Sequence, residues 1–151
     1  MSESDILSNI RRAALRWLAR RDYSQREITQ KLTVNDYPAE AINTVVTALT
    51  RAGLINENRF TENYINWRRG KGCGPLRISM ELQSRGIPSE MIAEQIHITD
   101  NAWFAEAQKA WRKQFKGKLP TDFKLRAKQM RFLQYRGFTR EQIASVFGSE
   151  E

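Results

Sequence analysis

Leu82-Gln83-Ser84-Arg85-Gly86-Ile87-Pro88-Ser89-Glu90-Met91-Ile92-Ala93 comes back 51 residues later as Leu133-Gln134-Tyr135-Arg136-Gly137-Phe138-Thr139-Arg140-Glu141-Gln142-Ile143-Ala144, with seven positions identical. A shift of 50 in the other direction lays Trp17, Ile28, Leu32, Pro38, Glu40 and Ile42 on Trp67, Ile78, Leu82, Pro88, Glu90 and Ile92. The chain is therefore three copies of one unit. A short unit buries its apolar face poorly by itself, so copies stack, and a stack presents an extended surface that can follow a long partner. That organisation points to binding rather than to a single catalytic pocket.

Each copy reads as three helices. In the first, Ile6, Ile10, Ala14, Trp17 and Leu18 recur at helical spacing, and Ser24-Gln25-Arg26-Glu27 is a capping box with Tyr23 and Ile28 placed to staple its start. A third helix opens near Pro38, turns Ile42, Val45, Val46 and Leu49 inward and stops at Gly53. In the second copy Asn56-Glu57-Asn58 opens a helix carrying Phe60, Tyr64 and Trp67, which Gly70, Gly72 and Gly74 end. The next runs from Pro75 to Gly86, and another starts near Pro88. In the third copy Trp103, Phe104, Ala107 and Trp111 mark one helix, Gly117 and Pro120 break it, and Phe123 to Arg136 forms the next, ending at Gly137. Thr139 with Gln142 caps the last. No alternating apolar run demands a strand. The expected fold is all-α: three tandem three-helix, helix-turn-helix-like repeats over residues 1–53, 54–98 and 99–151, in an elongated, curved array with short connections.

Composition narrows the class. The 151 residues are 40% hydrophobic, enough for a core. No run approaches the roughly 20 apolar residues of a membrane span, and Glu3 and Asp5 stand where a signal peptide would carry basic residues. The expectation is a soluble cytoplasmic protein with no membrane contact, and the lone Cys73 fits a reducing compartment. Of the net charge of +8, residues 1–53 contribute +2 (8 basic against 6 acidic), 54–98 contribute +1 (6 against 5) and 99–151 contribute +5 (11 against 6). Between Lys109 and Arg136 ten basic residues face Asp122 alone. Such a field attracts polyanions and weakens with salt.

With the helices placed, the centre of the chain can be read as a whole. Gly53-Leu54-Ile55-Asn56-Glu57-Asn58-Arg59-Phe60 is followed by Arg68-Arg69-Gly70-Lys71-Gly72-Cys73-Gly74-Pro75-Leu76-Arg77-Ile78-Ser79-Met80-Glu81-Leu82-Gln83-Ser84-Arg85-Gly86-Ile87. This closely resembles the signature of the regulatory protein RecX family, in which an acidic-Arg-Phe helix runs through a basic loop into Gly-Pro-x-x-Ile-x-x-Glu-Leu-x-x-basic-Gly-Ile. The resemblance extends to Arg21-Asp22-Tyr23-Ser24 with Glu27 and Leu32, and to Phe132-Leu133, Tyr135-Arg136-Gly137-Phe138 and Ile143. It covers nearly the whole chain. It departs at Asn56, where a second acid is common, and at Gly70, where another basic residue is frequent.

The resemblance implies a non-enzymatic modulator of the RecA recombinase. Proteins of this family lie in the groove of the RecA filament on single-stranded DNA and bridge its protomers. They oppose filament extension, and with it strand exchange, ATP hydrolysis and co-protease activity. A row of repeats suits bridging, which gains avidity from weak contacts. The residues expected to meet RecA or DNA are Arg59, Arg68, Arg69, Lys71, Arg77, Arg85, Lys109, Arg112, Lys113, Lys116, Lys124, Arg126, Lys128, Arg131 and Arg136. The partner is the RecA nucleoprotein filament, with single- or double-stranded DNA as a further candidate, and a self-complete stack is expected to act as a monomer.

Plainer readings stand beside these. Trp17, Trp67, Trp103 and Trp111 are expected in the core, and Gly86 and Gly137 as helix C-caps. Glu40, Glu90 and Glu141 complement helix dipoles. His97 has no partner ligands at metal spacing, and Cys73 has no base beside it in sequence, so no catalytic residue, metal or cofactor is expected. The glycine-rich loop lacks the preceding strand and the Gly-Lys-Ser/Thr end of a nucleotide loop. An alternative is a direct nucleic-acid-binding helical protein. Three-helix units with a basic third copy also describe helix-turn-helix modules, and Trp111 to Tyr135 interleaves aromatics with Lys and Arg.

Overall fold

The computed structural model of the protein describes residues 2–148. Among them are nine α-helices and no strand: α1 Glu3–Leu18, α2 Gln25–Val34, α3 Ala39–Arg51, α4 Glu57–Gly70, α5 Pro75–Ser84, α6 Ser89–Gln95, α7 Asn101–Phe115, α8 Phe123–Arg136 and α9 Arg140–Val146. None of the described helices is long and apolar enough to cross a membrane.

The caps follow from local chemistry. Ser24 Oγ accepts from the Glu27 N–H at 3.1 Å while Glu27 Oε1 accepts from the Ser24 N–H at 3.1 Å, the reciprocal pair expected of the capping box. Thr139 and Gln142 repeat the device at α9. Pro38 is the N-cap of α3, where its lack of an N–H costs nothing.

The helices pack as two compact units. Among the described residues, the first comprises 2–63 together with Gln83–Pro88, and the second comprises Tyr64–Leu82 and 89–148. The first unit is centred on fully buried Ile10, Ala14, Ile28, Leu32 and Leu49, with Trp17, Leu18 and Tyr23 half-buried against them. Each of the isoleucines and leucines contributes about 1.5–3 kcal/mol by leaving water. Polar ties secure its edge: Asp22 takes a bidentate Arg59 at 2.8–3.0 Å and the Asn63 amide at 3.1 Å, and Glu27 pairs with Arg85 at 3.3 Å.

In the second unit Ile78, Leu82, Trp103, Ala107, Trp111, Leu133, Phe138 and Ile143 are buried. The indole N–H of Trp111 donates to Gln129 Oε1 at 2.7 Å, and the Gln129 amide donates on to the Lys118 carbonyl at 3.1 Å, so both buried polar groups are satisfied.

Both units contain the same junction. In the first, Arg26 of α2 lies against the turn at Gly86 and donates to the Ser84 carbonyl at 3.3 Å. In the second, Arg77 of α5 lies against the turn at Gly137 and donates to the Tyr135 carbonyl at 3.4 Å. All three members are 51 residues apart, so the periodicity read from the sequence is a periodicity of contacts. Gly86 and Gly137 both have positive φ, +86° and +101°, as their place after a helix requires.

One reading needs correction. Trp67 is 54% exposed, whereas Trp103 and Trp111 are each 4% exposed and Trp17 is half-buried. The inward stripe of α4 is Phe60, Thr61, Tyr64 and Ile65, which leaves Trp67 on its shoulder with its ring edge-on to Tyr64 and Arg68 stacked beside it. Cys73 is a free, buried thiol.

Candidate functional site

The basic loop after α4 is built by its glycines. The N–H of Cys73 returns to the Arg68 carbonyl at 3.1 Å and that of Gly72 to the Arg69 carbonyl at 3.0 Å, a Schellman closure with Gly72 at φ +86°. Helix α8 ends the same way, with Phe138 N–H on Leu133 and Gly137 N–H on Gln134. These two turns dock backbone to backbone. The Gly74 N–H donates to the Arg136 carbonyl at 2.7 Å, and the Leu76 N–H donates to the Gly137 carbonyl at 2.9 Å. A Cβ on Gly74 would stand 2.6 Å from the Gly137 carbonyl, so only glycine allows the approach. The Gly-Pro signature is thus a clamp holding the basic loop against the third copy.

That clamp creates a cleft of about 140 Å³ lined by Arg69, Lys71, Lys109, Lys113 and Arg136, with Glu106 the only carboxylate. Arg136 is fixed there: it donates to the Lys71 carbonyl at 2.8 Å, and its guanidinium stacks 4.9 Å from the Phe132 ring centre. Arg69 donates to Asn66 Oδ1 at 2.8 Å and lies 5.7 Å from the Trp103 ring centre. Lys109 and Lys113 stand one turn apart on α7. Among the described residues none of these five cations sits in a salt bridge. Two guanidinium forks and three ammonium groups within one cleft suit phosphodiester groups or clustered carboxylates.

The other candidates lie elsewhere. Arg68 clasps Glu81 at 2.9 Å through two nitrogens, Arg77 reaches the same carboxylate at 3.2 Å, and the Tyr64 hydroxyl donates to it at 2.8 Å. Burial alone would raise the Glu81 pKa. The hydrogen bonds from Arg68, Tyr64 and Arg77 outweigh it and hold the carboxyl below its usual value. Arg59 and Arg85 are engaged by Asp22 and Glu27. Arg112, Lys124, Lys128 and Arg131 are exposed, Lys116 is an exposed left-handed residue at the end of α7, and Arg126 stacks on Phe147. Glu106 lines the cleft and Asn66 holds its Arg69, but neither gave a signal in the sequence. The recurring spacing from Arg85 to Arg136 did mark the anchor of the cleft.

Tandem three-helix copies, joined by a repeated arginine-on-glycine junction, define an all-α repeat protein. Family models for the first, second and third three-helix domains of RecX match residues 11–49, 56–94 and 102–147 in that order. The chain belongs to the RecX family of regulatory proteins. It is 38% identical over 147 residues to the regulatory protein RecX of Pseudomonas fluorescens (strain SBW25), covering 97% of this chain and 95% of that one. Its identity to that of Halorhodospira halophila (strain DSM 244 / SL1) is also 38%, covering 97% and 91%. The fold is shared with the crystal structure of RecX from Lactobacillus salivarius, at TM-score 0.79 and 21% identity over 96% of each chain. A second RecX crystal structure agrees at TM-score 0.79 and 19% identity, over 98% of this chain and 74% of that one.

Proposed function

We propose that this chain regulates the RecA recombinase by binding along the RecA filament on single-stranded DNA. Its tandem copies, at residues 1–53, 54–98 and 99–151, contact neighbouring protomers, and the bridge opposes filament extension, strand exchange, ATP hydrolysis and co-protease activity. It acts as a cytoplasmic monomer without catalysis of its own. The observation that carries the reading is the cleft of Arg69, Lys71, Lys109, Lys113 and Arg136, which joins the family's signature loop to the third copy. In this reading the cleft is the principal contact, and Arg112, Lys116, Lys124, Lys128 and Arg131 add to the attractive field.

The test is RecA's DNA-dependent ATP hydrolysis. Inhibition is expected well below one molecule per protomer and is expected to persist with DNA in large excess. Replacing Lys109 and Lys113 together by Glu is expected to raise the inhibitory concentration roughly tenfold or more, with an unchanged helical signal. Inhibition that requires enough protein to coat the DNA, and that vanishes with excess DNA, would instead favour the direct nucleic-acid binder.

A further inference from the structure

A groove of about 1020 Å³ opens between α5, α8 and α9, separate from the cationic cleft in all but its shared backbone clamp. Its lining exposes apolar side chains to water: Leu76 is 46% exposed, Met80 63%, Met130 36% and Tyr135 75%. Phe138 and Ile143 are buried beneath them. Contiguous exposed apolar surface of this kind marks an interaction site, and methionine side chains adapt to a partner's shape.

We propose that this groove receives an amphipathic helix of a partner protein, one that carries an apolar stripe flanked by carboxylates. Leu76 and Met80 lie one turn apart on α5, and Met130 and Gln134 lie one turn apart on α8, so the walls offer the spacing that a helix of about 10 Å diameter fills with i, i+3 and i+4 anchors. The charge selects the occupant. Arg77, Glu81 and Arg140 are the charged groups of the lining. Glu81 is already shared by Arg68 and Arg77, so two arginines answer one carboxylate, and Arg140 forms no salt bridge among the described residues. The rim therefore repels basic segments and attracts acidic ones. A second copy of this chain, at net charge +8, is disfavoured on the same ground. The inference is independent of the cleft's partner, because it rests on apolar burial rather than on phosphate-like charge.

The test uses the whole chain labelled with ¹³C at the methionine methyls. It is titrated with a synthetic helical peptide bearing leucines at i, i+3, i+4 and i+7 beside glutamates, with the same peptide carrying lysines for the glutamates, and with an oligothymidylate. The acidic peptide is expected to shift the Met80 and Met130 signals and leave Met91 of α6 in place. The lysine version is expected to bind roughly tenfold more weakly. Met80→Glu is expected to weaken the acidic peptide roughly tenfold or more, and Met130→Gln serves as an independent variant should Met80→Glu lose its helical signal. The proposal is overturned by no shift at millimolar acidic peptide, by equal binding of both peptides, by shifts from the oligothymidylate alone, or by the same shifts on raising protein concentration without peptide. Each of these also leaves the ATP hydrolysis test untouched, so the two readings fail separately.

Discussion

Gly137→Ala is expected to destabilise the protein by about 3 kcal/mol. The residue sits at φ +101°, where an L side chain costs about 1–2 kcal/mol. Its new Cβ would also overlap the Arg77 Cβ and fall 2.6 Å from the Arg77 nitrogen. The backbone there cannot retreat without breaking the Leu76 N–H bond to the Gly137 carbonyl, so overpacking adds about 1–3 kcal/mol. In a chain of 151 residues this lowers the melting midpoint by roughly 6–12 °C. Gly86→Ala offers the comparison, since its φ is +86° but its nearest neighbours are Arg26 side-chain atoms at 3.0 and 3.1 Å. The guanidino end can swing aside and the Arg26 Cβ is too close by only a few tenths of an ångström, so a loss of about 1–2 kcal/mol is expected. Equal losses at the two positions, measured by thermal or urea unfolding, would contradict the backbone clamp.

Glu81→Gln is expected to cost about 2 kcal/mol near neutral pH. The substitution keeps the shape but leaves Arg68, Arg77 and the Tyr64 hydroxyl facing an amide in place of a shared anion. Breaking a fully buried ion pair costs more, but these side chains are about one-fifth exposed, so solvent recovers part of the loss. The pH dependence follows from the sign of the shift. Glu81 has a lower pKa folded than unfolded, so its stabilisation is complete above the unfolded value of about 4.3 and is lost as pH falls through the folded value. Wild type and Glu81→Gln are therefore expected to differ most at neutral pH and to converge as the pH drops below about 4. A gap that stays constant in urea unfolding at pH 7 and pH 3 would show that Glu81 is not the linked group.

Helix positions were legible in the sequence because their signals are local. The Ser24–Glu27 box, Pro38, Pro75, Gly137 and the Thr139–Gln142 pair each act within one turn, and every one appears where its chemistry requires. The pairings of arginine were not legible. Arg59 finds Asp22 from 37 residues away and Arg68 finds Glu81 from 13, so a list of basic residues mixes structural ion pairs with unpaired cations. Only the three-dimensional clamp at Gly74 and Gly137 separates Arg69, Lys71, Lys109, Lys113 and Arg136 from the rest. Trp67 was misplaced for a related reason. Its spacing on α4 is helical, but the stripe that turns inward runs through Tyr64 and Ile65.

The most direct measurement of the central claim is electron cryo-microscopy of RecA filaments formed on single-stranded DNA with this chain added at one molecule to several protomers. The expected map has helical density in the filament groove touching at least two adjacent protomers, with the Arg69, Lys71 and Lys113 cleft at a contact. Filaments without added density, or density on bare DNA beside an unaltered filament, would contradict it.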